Sequence, residues 1–99
     1  MTKIMNEGAV EVVWLDPVPT LGDYQAAMAL ADEEAEKRGQ GMLISWYDRD
    51  RDFESPQHAS ECGREGATPG YVDYALTRGA NLKVDVHHGR YIFFYLVHD

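Results

Sequence analysis

From Ala9 to Leu15 the chain reads AVEVVWL, rich in β-branched and aromatic residues, and it stops at Asp16-Pro17. That run predicts a strand, apolar on nearly both faces and so away from a bare sheet edge. Leu21, Tyr24, Met28, Ala31 and Ala35 then recur at spacings of 3, 4, 3 and 4, one face of a helix. Thr20 reads as its N-cap with Asp23 as the capping-box acid, and Gly39 and Gly41 supply the stop, so the pattern predicts a helix over Leu21 to Arg38. Its buried face is alanine-rich, which suits close packing on a sheet. MLISWY, Met42 to Tyr47, reads as a second strand, with Met42, Ile44 and Trp46 on one face and Leu43, Ser45 and Tyr47 on the other.

Residues 48 to 67 form the least regular stretch. Within it Ser55-Pro56 is read as the start of a one- or two-turn helix that ends at Gly63, with proline at the first helical position. Thr68-Pro69 repeats the signal, and Pro69 to Arg78 reads as a second, shorter helix closed by Gly79. The last twenty residues alternate as a hairpin. His88-Gly89 fits a two-residue turn with positive φ, which pairs Val86 with Tyr91, Val84 with Phe93 and Leu82 with Tyr95. The expected order is β-α-β-(loop, short helix)-β-β: an α+β two-layer sandwich with one long helix on a four-stranded mixed sheet.

Composition bounds the picture. Ninety-nine residues make one domain, 1–99, and at 44% apolar the chain can build a core without staples. A net charge of −8 repels phosphate backbones and anionic lipid, so neither nucleic acid nor membrane is expected as a partner. One cysteine forms no intrachain disulfide, and MTKIMNEGAV lacks the apolar core of a signal peptide. A cytoplasmic location is the expectation.

The stretches ISWYDRDRDFESPQHASEC, PGYVDYAL, LKVDV and YIFFYL cover over half the chain. On them the chain resembles a small uncharacterised prokaryotic single-domain family, a domain of unknown function. The resemblance implies a one-domain α+β protein and carries no activity with it.

Two groups of side chains offer chemistry. In an extended DRDRDFE, Asp48, Asp50, Asp52 and Glu54 share one side, as in the start of a calcium loop. The match fails at Phe53, where the sharp turn needs glycine, and at Ala59, where a bidentate Glu belongs. A helical HASEC would set His58, Glu61 and Cys62 on one face, an imidazole, carboxylate and thiolate set suited to a transition metal, with Asp48 or Asp52 completing it. Against that, DRDRD can neutralise itself, which makes 45–62 a structured corner with Trp46 buried. The second group is Tyr47, Asp85 and His87, expected to converge on a pocket between the mixed hairpin face and the 48–67 loop. No residue is assigned a catalytic role and no cofactor is identified.

The favoured function is a non-enzymatic, self-associating ligand-binding or interaction module. Its basis is that one long helix leaves an apolar sheet face open, which favours a homo-oligomer, a dimer first. The alternatives are a metal-dependent or acid–base enzyme using the 48–62 stretch and Asp85, and an accessory protein docked through its acidic loop.

Overall fold

The computed structural model of the chain describes residues 2–5, 10–57 and 70–98. They form β1 (Thr2–Met5), β2 (Val10–Leu15), α1 (Tyr24–Glu36), β3 (Gln40–Asp48), β4 (Phe53–Ser55), α2 (Gly70–Thr77), β5 (Leu82–Val86) and β6 (Tyr91–His98). The strands make one sheet in the order β1-β2-β5-β6-β3-β4. β2 and β5 run parallel and every other neighbouring pair is antiparallel. The fold is α+β with a mixed sheet, as expected, but the sheet has six strands among the described residues rather than four. The additions, β1 and β4, are its two edges. They hold four and three residues, too short for alternation to register in the sequence.

Connectivity and packing show where the helices lie. The β2-α1-β3 connection passes over β5 and β6, whereas α2 follows the edge strand β4 and leads back past β3 and β6 to β5. The two crossovers travel in opposite directions along the sheet. Their packing contacts put the two helices on opposite faces. α1 packs Ala27, Ala31 and Ala35 on Val13, Leu82, Val84, Val86, Phe93 and Tyr95. α2 packs Tyr71 and Ala75 on Phe94, Ile44, Tyr47 and Ile92, the residues between those positions. The expectation of a helix on one face only is thus corrected: over β3 and β6 the sheet carries a helix on each side.

Local chemistry shifts three expected details. Asp23, not Thr20, caps α1: its backbone is extended and its Oδ1 accepts the Ala26 amide at 3.0 Å. A register shift between Leu43 and Ser45 in the β3–β6 ladder marks a bulge. Ile44 packs against the α2 side and Ser45, whose hydroxyl donates to the Tyr71 carbonyl at 2.7 Å, is buried there too. Trp46 consequently faces α1 and does not share a face with Ile44. Ser55 ends β4, and Pro56 and Gln57 after it form a bend and a turn rather than the first residues of a helix. The rest of the short helix expected up to Gly63 lies outside the described residues.

The closing hairpin follows its predicted register, with Val86 opposite Tyr91 and Leu82 opposite Tyr95. His88 and Gly89 take φ of 55° and 86°, as the two-residue turn requires. None of the helices among the described residues is long and apolar enough to cross a membrane.

Candidate functional site

DRDRD is a turn, not an extended run. β3 and β4 pair antiparallel, with Asp48 opposite Phe53 and Tyr47 opposite Glu54, so residues 49–52 reverse the chain. Asp48 builds that turn. Its Oδ1 accepts the amides of Asp50 at 3.0 Å and Arg51 at 3.4 Å, and its Oδ2 takes Arg51 Nε at 2.7 Å. Asp52 completes the reversal with φ of 49°. Arg51 spreads its guanidinium over Tyr24 and Phe53, 4.3 and 5.1 Å from the ring centroids. Trp46 stacks on Tyr24 at 5.0 Å and reaches Phe53 and Phe93, so this corner is an aromatic cluster sealed by an ion pair. Asp50 reaches away to Arg90 Nε at 2.6 Å.

The turn sends the acids to different places. Asp48 lies under Arg51, whereas Asp52 Oδ1 accepts the Tyr47 hydroxyl at 2.7 Å. The ladder registers line up Trp14, Asp85, Ile92, Tyr47 and Glu54 in one row across the α2 face. Tyr71 of α2 lies flat on Tyr47, ring centroids 5.0 Å apart. Its phenol is pushed up to about 12, first by burial and then by the charges of Tyr47, Asp85 and Glu54. The hydrogen bond to Asp52 likewise raises the Tyr47 phenol above its usual range. At the outer edge, Asp52, Phe53, Glu54 and Gln57 line an open depression. Glu54, which lines it, also carries an Oε1 that is buried without a hydrogen-bond partner among the described residues.

His87 joins a different corner. It has φ of 56°, which takes it out of the strand alternation that would place it beside Asp85. Its Nε2 accepts the Leu21 amide at 3.0 Å and its Nδ1 lies 2.7 Å from Asp16 Oδ1. Asp85 spends Oδ1 on the Gly89 amide at 2.5 Å, closing the β5–β6 turn. Of the three residues expected to form one pocket, Tyr47 and Asp85 share a row and His87 stands apart. The metal candidates Asp48 and Asp52 are separated by the turn, while His58, Glu61 and Cys62 lie outside the described residues. Among the described residues no three His, Cys, Asp or Glu side chains gather as metal ligands would. Sequence reading names Glu54 only as one of the acids of the calcium-like run, not beside Tyr47, and it does not name Gln57. The clue lies in Tyr47: a strand ending in an Asp-rich turn brings the residue two beyond that turn back beside it.

Residues 10–95 match the family model described as Domain of unknown function (DUF5619). The chain belongs to that family. Both crossover helices and strands β2 to β5 of this DUF5619 domain fall inside the matched span, and so does every residue of the two corners. Its fold is similar to the crystal structure of AF1514, described as a novel protein, from Archeoglobus fulgidus DSM 4304. The TM-score is 0.73 at 25% identity over 89% of this chain and 94% of that one. No curated protein matches the chain.

Proposed function

We propose that this DUF5619 domain is a non-catalytic binding module that takes a small organic cation, an ammonium or guanidinium group, in the depression along β4. Glu54 carries the reading. An ionised carboxylate oxygen buried without a donor is costly, and a charge-assisted hydrogen bond from a ligand would offset that cost. The surroundings select the same chemistry. Asp52 adds a second carboxylate, Gln57 an amide and Phe53 an aromatic ring, and the Tyr47–Tyr71 stack stands behind them. A net charge of −8 raises the local concentration of cations and disfavours anions.

Two expected features receive less support. Self-association rested on an open sheet face, and α2 lies on that face over β3 and β6. An enzyme using 48–62 and Asp85 would need free carboxylates, whereas Asp48 is committed to its turn through both oxygens.

Amide shifts of ¹⁵N-labelled protein, titrated with butylguanidinium and with neutral butanol, test the reading. It expects saturable shifts at residues 47, 52–57 and 71 with the cation alone, lost in Glu54→Gln. Shifts scattered over the acidic surface, or unchanged in Glu54→Gln, would contradict it.

A further inference from the structure

His87 is 7% exposed, and both of its ring nitrogens are engaged. The Leu21 N–H points at Nε2, so that nitrogen carries a lone pair. The proton then sits on Nδ1, which donates it to Asp16 Oδ1. The ring is neutral in this arrangement and ties two distant stretches together: the β5–β6 turn and the segment that leads into α1. Leu21 is the tied residue, and its side chain packs against the core beneath α1.

A second proton can enter only at Nε2, and it would consume the lone pair that holds the Leu21 amide. Two N–H donors would then face each other, so the contact must open. Asp16 has the opposite preference, because a carboxylate beside Nδ1–H stabilises the imidazolium. We infer that His87 is a pH-sensitive latch: protonation at Nε2 releases the Leu21 amide while Asp16 keeps the ring in the turn.

The other groups around the latch set its limits. His88 Nε2 lies 3.3 Å from Asp16 Oδ2 and shares that carboxylate. Arg90 Nη1 donates to the Leu21 carbonyl at 2.9 Å and is itself held by Asp50 Oδ2, which also faces the Tyr91 hydroxyl at 3.4 Å. The release is therefore local: the carbonyl of Leu21 stays tethered when its amide is freed. Asp16 is 62% exposed at its side chain, so the corner is open to exchange with solvent.

Nuclear magnetic resonance follows both ends of the latch. Between about pH 8 and about pH 5, the ¹⁵N shift of His87 Nε2 and the amide proton of Leu21 should move with one midpoint. Hydrogen-exchange protection at Leu21 should fall with them, while the Asn81 amide, bonded to the Tyr95 carbonyl, stays protected. Asp16→Asn removes the charge that favours the imidazolium and should move the shared midpoint to lower pH. His88→Gln, which leaves the Leu21 contact in place, should keep the coupling. The inference is overturned if His87 titrates with Leu21 unmoved, or if Nε2 takes up no proton while the protein stays folded. A midpoint that follows His88 rather than His87 overturns it too.

Discussion

At the scale of single residues, most buried polar side chains of the described chain act as braces. Asp48 is the clearest. Its side chain is 3% exposed, yet both oxygens are bonded, one to amides across the turn and one to Arg51. Removing it leaves those amides and a guanidinium without their acceptor, at a cost of about 1–3 kcal/mol. Asp50, 43% exposed against Arg90, makes an ion pair of the kind worth about 1 kcal/mol or less. Urea unfolding should rank Asp48→Ala well below Asp50→Ala in stability, and the reverse order would show that the turn is not built on Asp48. The phenols give a pH-dependent counterpart. Burial raises the pKa of Tyr71 and Tyr95 in the folded chain, so folding favours their protonated forms. For Tyr71 that stability is complete below the unfolded phenol value of 10.0 and drains away as pH rises from there toward about 12, while Tyr95 keeps its proton to higher pH still. Absorbance at 295 nm should show a late-titrating phenol near pH 12 that disappears in Tyr71→Phe. Titration of every tyrosine near 10 in folded protein would contradict it.

At the scale of elements, α1 is the best test of how the pieces fit. Ala27, Ala31 and Ala35 are at most 2% exposed, and Gly41 of β3 comes so near that an added Cβ would sit 2.7 Å from Ala35 Cβ. Small side chains on both partners set that distance. Ala31→Leu should overpack the layer and cost roughly 1–3 kcal/mol, while Glu33→Leu on the exposed face should be nearly silent in thermal unfolding. A silent Ala31→Leu would place the wrong face on the sheet. The alanine stripe was legible in the sequence because a 3.6-residue period survives any tertiary setting. So was the β5–β6 register, which His88-Gly89 pins locally. The bulge at Leu43–Ser45 was not, because a bulge breaks the alternation used to assign faces and leaves no residue signature of its own. Nor was β4: three residues after a turn carry no period, and the turn itself depends on Asp48 reaching amides two and three residues on. The position of α2 depends on packing within a strand order that a single chain does not reveal. For the site the same holds. Tyr47 and Asp85 were readable as polar residues on a mostly apolar face, but Glu54 becomes their neighbour only once the β3–β4 hairpin closes. His87 was misplaced because its positive φ turns it out of the strand pattern.

At the scale of the whole molecule, the two faces of the sheet divide the work. The α1 face holds the larger core and the aromatic corner closed by Arg51. The α2 face holds Asp85, the Tyr47–Tyr71 stack and Glu54, which lines the edge depression and has one buried oxygen without a partner among the described residues. A protein of net charge −8 attracts cations everywhere, so the central claim is one of place rather than of sign. Titration calorimetry with butylguanidinium, run on wild-type protein and on Glu54→Gln and Asp50→Ala, separates the two directly. All three should be compared at about 0.15 M salt, where attraction between exposed charges is largely screened beyond about 8 Å. Binding one equivalent in the wild type and in Asp50→Ala, weakened tenfold or more in Glu54→Gln, is the predicted result. Equal weakening by both substitutions, or no saturable heat at that salt, would contradict a cation site on β4.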